Sequence, residues 1–597
     1  MFKFKLTYVA LAAALSSTVV YADPSTYTHL SGATVVDIEA PNAAGVSHNL
    51  YREFNVGSNG LILNNSDSDI NHATFGNIAK NNNLTNGGAS VILNEVTSNK
   101  ASSLNGFIEV AGLKADVVIA NPNGITCSGC SFVNTNKAIL TTGQVNLTDE
   151  GAIGSYTITN GKITIGENGM DASTSYAALL ADAVAINGMV NAGNATVGGG
   201  NFTFDNSTGA MTSAGKSATV LQMISPVYSI DISSLGGIKA NSISMVGNNL
   251  GFGVRNKGSI TANSTLSITN NGLLTNDGSI ASNGYLTSIA ASGNFTNNGT
   301  LTTKNMTMIT TYGALNNGSK GTISSTKQLV LNASGNIQNS GTISATSSLV
   351  AASNGAITNN AGAKITSDAQ ITATSLGNFT NDGTIKGKNT ALNFIGTNFK
   401  NTGTISATGK VAVKSLKQDS TTNTGEIYNL GTISGENIDM QTNGTLAQST
   451  SGRMEATNAI TAHSYWLNNN GYMKAADITT DHGTISNTGT ITAANVSLTT
   501  YYDVTNEGTI YSTGDLLLDT QLKGNIYNYS LIQANGTLTM TAKKVVNSGR
   551  GCGWLKFNTC DVGTISANKM VLNSSYKYAS EMGGYQYFKI AEIKTVL

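Results

Sequence analysis

The chain predicts an all-β protein: a right-handed parallel β-helix with an N-terminal cap and about 20 residues per coil. Three observations predict it. First, a frame of the form Asn-x-Gly-[Ser/Thr]-Ile recurs: NKGSI at Gly258, NDGSI at Gly278, NNGTL at Gly299, NSGTI at Gly341, NDGTI at Gly383 and NTGTI at Gly403. With KGTI at Gly321 and the degenerate NAGAKI at Gly362, the intervals are 20, 21, 22, 20, 21, 21 and 20 residues. Second, the runs between these marks, such as KQLVLNASG, alternate apolar and polar residues and end in Asn or Gly, which marks short strands. Third, a unit this short has no room for a crossover helix, so each strand must pair with its counterpart one unit later. Inward Ile, Leu, Val and Ala then form the core. Asn and Gly are expected at left-handed corners, and Asn side chains can stack in ladders along the axis.

Residues 1–22 read as a signal peptide. Lys3 and Lys5 make a positive start, Val9 to Leu15 an apolar core, and Val20 and Ala22 the small residues before a cleavage at Asp23. The apolar run is too short for a permanent anchor, so an exported chain is expected.

The segments GVSHNLYREFNV (45–56), GLILNNS (60–66), VILNEVTS (91–98) and SLNGFIEVAGLKADVVIANPNGITCSGCSF (103–132) follow in that order. Together they resemble the secretion domain of two-partner-secretion exoproteins: filamentous haemagglutinins, calcium-independent haemolysins and contact-dependent inhibition proteins. The likeness covers residues 23–270. It implies two asparagine motifs that matter for secretion. One stands intact as Asn121, Pro122, Asn123, Gly124 and Ile125. The other is Asn81, Asn82, Asn83 and Leu84, with Asn82 where the family usually has Pro, so a less rigid turn is expected there. The resemblance also implies an outer-membrane transporter that recognises this domain in the periplasm and passes the unfolded chain out.

Cys127 and Cys130, spaced C-x-x-C, are two of four cysteines. A structural zinc site needs four ligands, and Cys552 and Cys560 would lie on the order of 100 Å further along a rod with strands ~4.8 Å apart. No βαβ pattern suggests a redox motif. The pair therefore reads as a frame element, either a local disulfide or two buried thiols. Cys552 and Cys560, with seven residues between them, are a second candidate disulfide in an oxidising compartment.

Residues 271–545 form the repeat region, with one 28-residue interval between Gly403 and Gly431 that reads as an inserted loop. Residues 546–597 depart from the repeat and read as a cap closing the solenoid; its Tyr-rich stretch admits a rival reading as an aromatic binding surface.

Charged residues make up 11% of the chain and the formal net charge is zero, which argues against a nucleic-acid partner. Acid pairs are few. Asp67 and Asp69, the clearest, read as a solvated turn. His48 falls in a family motif and reads as a loop brace, while His29, His72, His463 and His482 are scattered without metal-ligand spacing. No catalytic residue, metal or cofactor is expected. The function expected is that of an adhesin-like exoprotein, secreted or displayed at the cell surface and meeting a host or neighbouring cell. The rival is a haemolysin-type cytolysin or a truncated contact-dependent inhibition protein, and a short or truncated member is expected because relatives of this kind are longer.

Overall fold

A unit of about 20 residues with alternating side chains can bury only one face, and stacking is what makes that face continuous. In a computed structural model of the chain, that stacking is the fold. The structure describes residues 23–72, 75–212, 227–417, 425–547 and 563–574, with backbone alone at 587–590 and 593–595. The described residues are strands, turns and bends without a helix.

The strands pair in parallel with their counterparts one coil later, so equivalent residues form columns. Ile238 lies against Ile260, then Ile280, Leu301, Ile323 and Ile343. The column continues through Ile405, Ile433, Met454 and Met473 to Ile532 and Ile565. The register crosses the 28-residue interval unbroken, since Asn401 still pairs with Asn429; the insertion lies between the strands Lys410–Ser415 and Glu426–Asn429, with 418–424 outside the described residues.

One interior column is polar. It begins at Asn256 and runs through Asn276, Asn297, Asn317, Asn339, Asn359, Asn381, Asn401 and Asn429. These amides are buried. Each donates its Nδ2–H to the Oδ1 of the next, at 2.7–2.9 Å from Asn256 to Asn429. Most donate a second bond to a backbone carbonyl of the following coil, as Asn359 does to Thr384. Gln448 then takes the place of asparagine and donates to the Tyr472 carbonyl instead. The series resumes at Asn469 and ends at Asn547. Burying these amides is tolerable because each is satisfied by its neighbours.

The glycines of the repeat do a different job from the one expected. The repeat glycines have ordinary φ, except Gly362, and among the described residues the only non-glycine positive φ values are at Asn134, Gln521 and Leu522. Close approach is what requires glycine. A Cβ on Gly278 would lie 2.2 Å from the Gly258 carbonyl oxygen, and one on Gly299 would lie 2.0 Å from that of Gly278. The turn after each asparagine packs directly on the turn below.

At the N-terminus the strand Thr26–Thr28 runs antiparallel to Thr34–Asp37, which begins the parallel stack. Two additions stand outside the solenoid. A hairpin of Ile70–His72 and Gly76–Ile78 covers Val35, Ile62 and Ala111. An antiparallel sheet of Gln144–Leu147, Ile153–Ile158, Phe202–Asp205 and Met211–Thr212 packs Tyr156, Phe202 and Phe204 onto Val118, Ile139 and Leu180. At the other end the parallel ladder runs on into the span read as a cap: Thr564–Ser574 continues it, and Tyr587–Ile590 and Ile593–Thr595 pair with that strand. The predicted signal peptide, residues 1–22, lies outside the described residues.

Candidate functional site

Asn121 follows the strand Ala115–Ala120 and precedes Ile125–Cys127. Its side chain is fully buried. Nδ2 donates to the Lys100 carbonyl and to Ser102 Oγ, both at 2.9 Å. Oδ1 accepts from the Asn123 backbone N–H at 3.0 Å, the bond of an Asx turn. Asn123 in turn donates to the Ser98 carbonyl at 2.7 Å. Gly124 has φ +111°, and its N–H donates to the Asn121 carbonyl at 3.1 Å, closing the turn. Pro122 and Asn123 face solvent, while Ile125 enters the core column between Ser102 and Ile163.

The turn at Asn81 repeats this arrangement. Asn81 is buried; its Nδ2 donates to the Ile38 carbonyl at 2.8 Å and the Asn64 carbonyl at 3.0 Å. Its Oδ1 accepts from the Asn83 N–H at 2.9 Å, Asn83 donates onward to the Ile38 carbonyl, and the Leu84 N–H donates to the Asn81 carbonyl. Leu84 is buried, and Asn82 and Asn83 are exposed as Pro122 and Asn123 are. With Asn82 where the family usually has proline, the turn closes through the same set of bonds. The conformation is set by the buried asparagine, and the second position only faces water.

Cys127 and Cys130 form a disulfide. This decides between the two frame readings. Both sulfurs are buried, and each cysteine sits in a core column, Cys127 beneath Ile165 and Cys130 beneath Met170. The bridge therefore ties the corner after the Asn121 turn into the core. Cys552 and Cys560 lie outside the described residues.

The remaining candidates are structural in their contacts. His48 Nε2 meets Glu95 Oε2 at 2.7 Å across adjacent coils. His72 pairs with Glu109 and stacks on Phe75, fastening the hairpin to the solenoid. His29 Nε2 lies 3.2 Å from the Asn77 carbonyl of the same hairpin. Asp69 accepts the Lys80 N–H at 2.9 Å. His463 faces Asp481 at 3.5 Å on the surface. His482 is buried, with Nδ1 2.7 Å from Ser464 Oγ, and burial lowers its pKa to about 4. Among the described residues no three of His, Cys, Asp and Glu are placed to hold a metal ion.

Comparison with known proteins bears on the same region. Residues 13–280 match the family model of the TPS secretion domain. Over 234 residues, 39% of this chain, the sequence is 42% identical to a tRNA nuclease CdiA of Yersinia mollaretii, of which 8% is covered. It is 40% identical over 229 residues, 38% of this chain, to a toxin CdiA of Escherichia coli, of which 7% is covered. The matching stretch is thus a small part of those relatives' length. Among solved structures, the filamentous hemagglutinin secretion domain is similar at 29% identity and a TM-score of 0.41, covering 49% of this chain and 93% of that one. The residues that carry the resemblance in the sequence motifs lie inside the matched stretch: the N-terminal part of the chain is similar to the TPS secretion domain.

Proposed function

We propose, with the secretion domain over residues 13–280 as premise, that this protein is delivered to an outer-membrane transporter which recognises that domain in the periplasm. The chain passes outward unfolded, folds coil by coil outside, and is displayed or released as an adhesin-like rod. The observation that carries the reading is the match over residues 13–280 enclosing an intact Asn121–Ile125 turn, with Pro122 and Asn123 on its outer surface. Four prolines in 597 residues suit this route, because few slow isomerisation steps delay folding on emergence.

Adhesion is favoured over catalysis by the make-up of the rod. Its outward positions are mainly Thr, Ser, Asn and Lys, repeated from coil to coil, which offers the same polar surface many times over. The nuclease activity in the relatives' names is theirs, and no catalysis is assigned to this chain.

The test is export. Co-expressed with an outer-membrane transporter of the two-partner class, the wild-type protein should reach the medium or cell surface, and Asn121→Ile should remain in the periplasm at unchanged expression. Normal secretion of the variant would sink the proposed role of the turn. Binding of purified protein to erythrocytes without haemoglobin release is expected of an adhesin, and release of haemoglobin would count for a cytolysin.

A further inference from the structure

Solenoid surfaces made of Thr, Ser and Asn have little to offer an apolar group, and a cluster of exposed rings on this rod departs from that. Tyr465 and Trp466 leave the long strand Arg453–Asn469 side by side, 43% and 44% exposed. Two coils further on, Tyr501 and Tyr502 are 48% and 47% exposed. The coil between them carries Gly483, whose N-terminal neighbour His482 is paired with Ser464 below and Thr500 above.

Gly483 is what makes a continuous surface of these rings. A Cβ there would lie 2.6 Å from the Tyr465 carbonyl oxygen and 3.3 Å from the Tyr465 ring. Without it, the ring lies across the intervening coil and meets Tyr502 edge to face, with centroids 6.3 Å apart. Tyr465 also meets Trp466 edge to face at 4.5 Å, and Tyr501 meets Tyr502 at 5.6 Å. Beyond Tyr501 the chain makes a costly turn: Gln521 and Leu522 both take positive φ, 53° and 59°, which non-glycine residues rarely do. That turn sets Lys523 Nζ over the Tyr501 ring, 3.5 Å from its centroid. The rings are thus held by one another, by a missing side chain and by a strained turn, and backbone strain of this kind collects at functional sites.

We propose that Tyr465, Trp466 and Tyr502 form a binding platform for a neutral oligosaccharide. This deepens the adhesion reading by naming a ligand class. Sugar rings present C–H faces that suit the electron-rich faces of aromatic rings, and hydroxyl edges that suit polar tips; the indole N–H and the tyrosine hydroxyls supply both from the same side chains. Around the rings, His463 lies beside Asp481, Asp503 accepts from Asn525, and Lys523 sits over Tyr501. A membrane surface is a poorer fit, since interfacial binding calls for several cations around residues that insert, and Lys523 is engaged on Tyr501. A stable protein partner would call for roughly 800 Å² buried on each side around a closely packed apolar centre, where here the rings meet at their edges.

The test uses purified full-length protein, so it is independent of export. Tryptophan fluorescence and calorimetry are followed during titration with cellohexaose, chitohexaose, xylohexaose and maltohexaose. At least one should bind with a change in emission. Trp466→Ala and Tyr502→Ala should each weaken it by about tenfold or more, as removal of a hot-spot ring does, with circular dichroism unchanged. Tyr285→Ala, an exposed tyrosine elsewhere on the rod, should bind as the wild type does. Failure of all four sugars to bind at millimolar concentration overturns the proposal. So does undiminished binding by both platform variants, or binding of phosphatidylglycerol vesicles without binding of any sugar.

Discussion

Asn121 and Asn81 each fix a turn through one buried amide, with both donors on neighbouring backbone or hydroxyl oxygens and the acceptor on an N–H two residues ahead. Replacing either with Ala leaves buried partners unsatisfied, at roughly 1–3 kcal/mol for each such group. Because the two turns carry the same bonds, Asn121→Ala and Asn81→Ala should lower the stability of the secretion domain by similar amounts, of order 2–3 kcal/mol in urea titrations. A negligible effect at Asn81 would show that the buried asparagine does not dictate that turn. His482 offers a second residue-scale test. Burial depresses its pKa to about 4 from the ordinary 6.5 of a histidine, opposed by its bond to Ser464 and helped by His463, and among the described residues its Nε2 has no partner. The folded state therefore holds this ring neutral while the unfolded chain takes up a proton below its own pKa. The associated stability is fully present above about pH 6.5 and falls away as the pH drops towards 4, by up to roughly 3 kcal/mol. Hydrogen-exchange protection factors, corrected for the intrinsic pH dependence of amide exchange, should fall at residues 464–482 between pH 6.5 and pH 4.5 in the wild type and change far less in His482→Gln.

At the scale of single elements, the asparagine ladder is where packing and polarity meet. Asn359→Ala removes an acceptor for Asn339 and the bonds Asn359 makes to Asn381 and Thr384. We expect a loss of about 3 kcal/mol in chemical denaturation, since a buried donor is also left unpaired. Gln448→Asn, at the one place where the amide series is interrupted, should raise the denaturation midpoint by restoring a link to Asn469. The Cys127–Cys130 bridge closes a loop far shorter than fifteen residues, so Cys127→Ala with Cys130→Ala should cost less than about 3 kcal/mol by the same measurement. Much of this was legible beforehand. The period and the parallel stack were written in the spacing of Asn, Gly and Ile, while the Asn121 motif came with the resemblance to a known secretion domain. The role of the repeat glycines was not, because a glycine needed for close approach looks the same in sequence as one needed for positive φ. The antiparallel sheet around Tyr156 was hidden too, because SYTITNGKITI alternates just as the coils do, and only tertiary packing sends its first half off the solenoid. The aromatic platform had a visible signal that passed unread: the pairs Tyr465-Trp466 and Tyr501-Tyr502 stand two coils apart.

Over the whole molecule, each coil touches mainly the coils before and after it, so stability is a sum of local terms rather than one global transition. A lesion such as Gly299→Ala, whose Cβ would strike the Gly278 carbonyl, should therefore raise hydrogen exchange in the adjoining coils and leave the secretion domain as protected as before. Uniform loss of protection along the rod would contradict this picture. The ladder also has a direction. From Asn256 to Asn429 every link of the ladder runs the same way, from a side-chain N–H to the amide oxygen of the asparagine one coil later in the chain. When such a chain emerges amino end first, the newest coil always shows unpaired donors at its tip, and these are quenched only by the arrival of the next. Each new coil replaces the water on those donors with the oxygen of the next asparagine, so the ladder is completed in chain order. The column of asparagines then acts as a row of clasps, each closing as the rod lengthens in the order in which it is delivered.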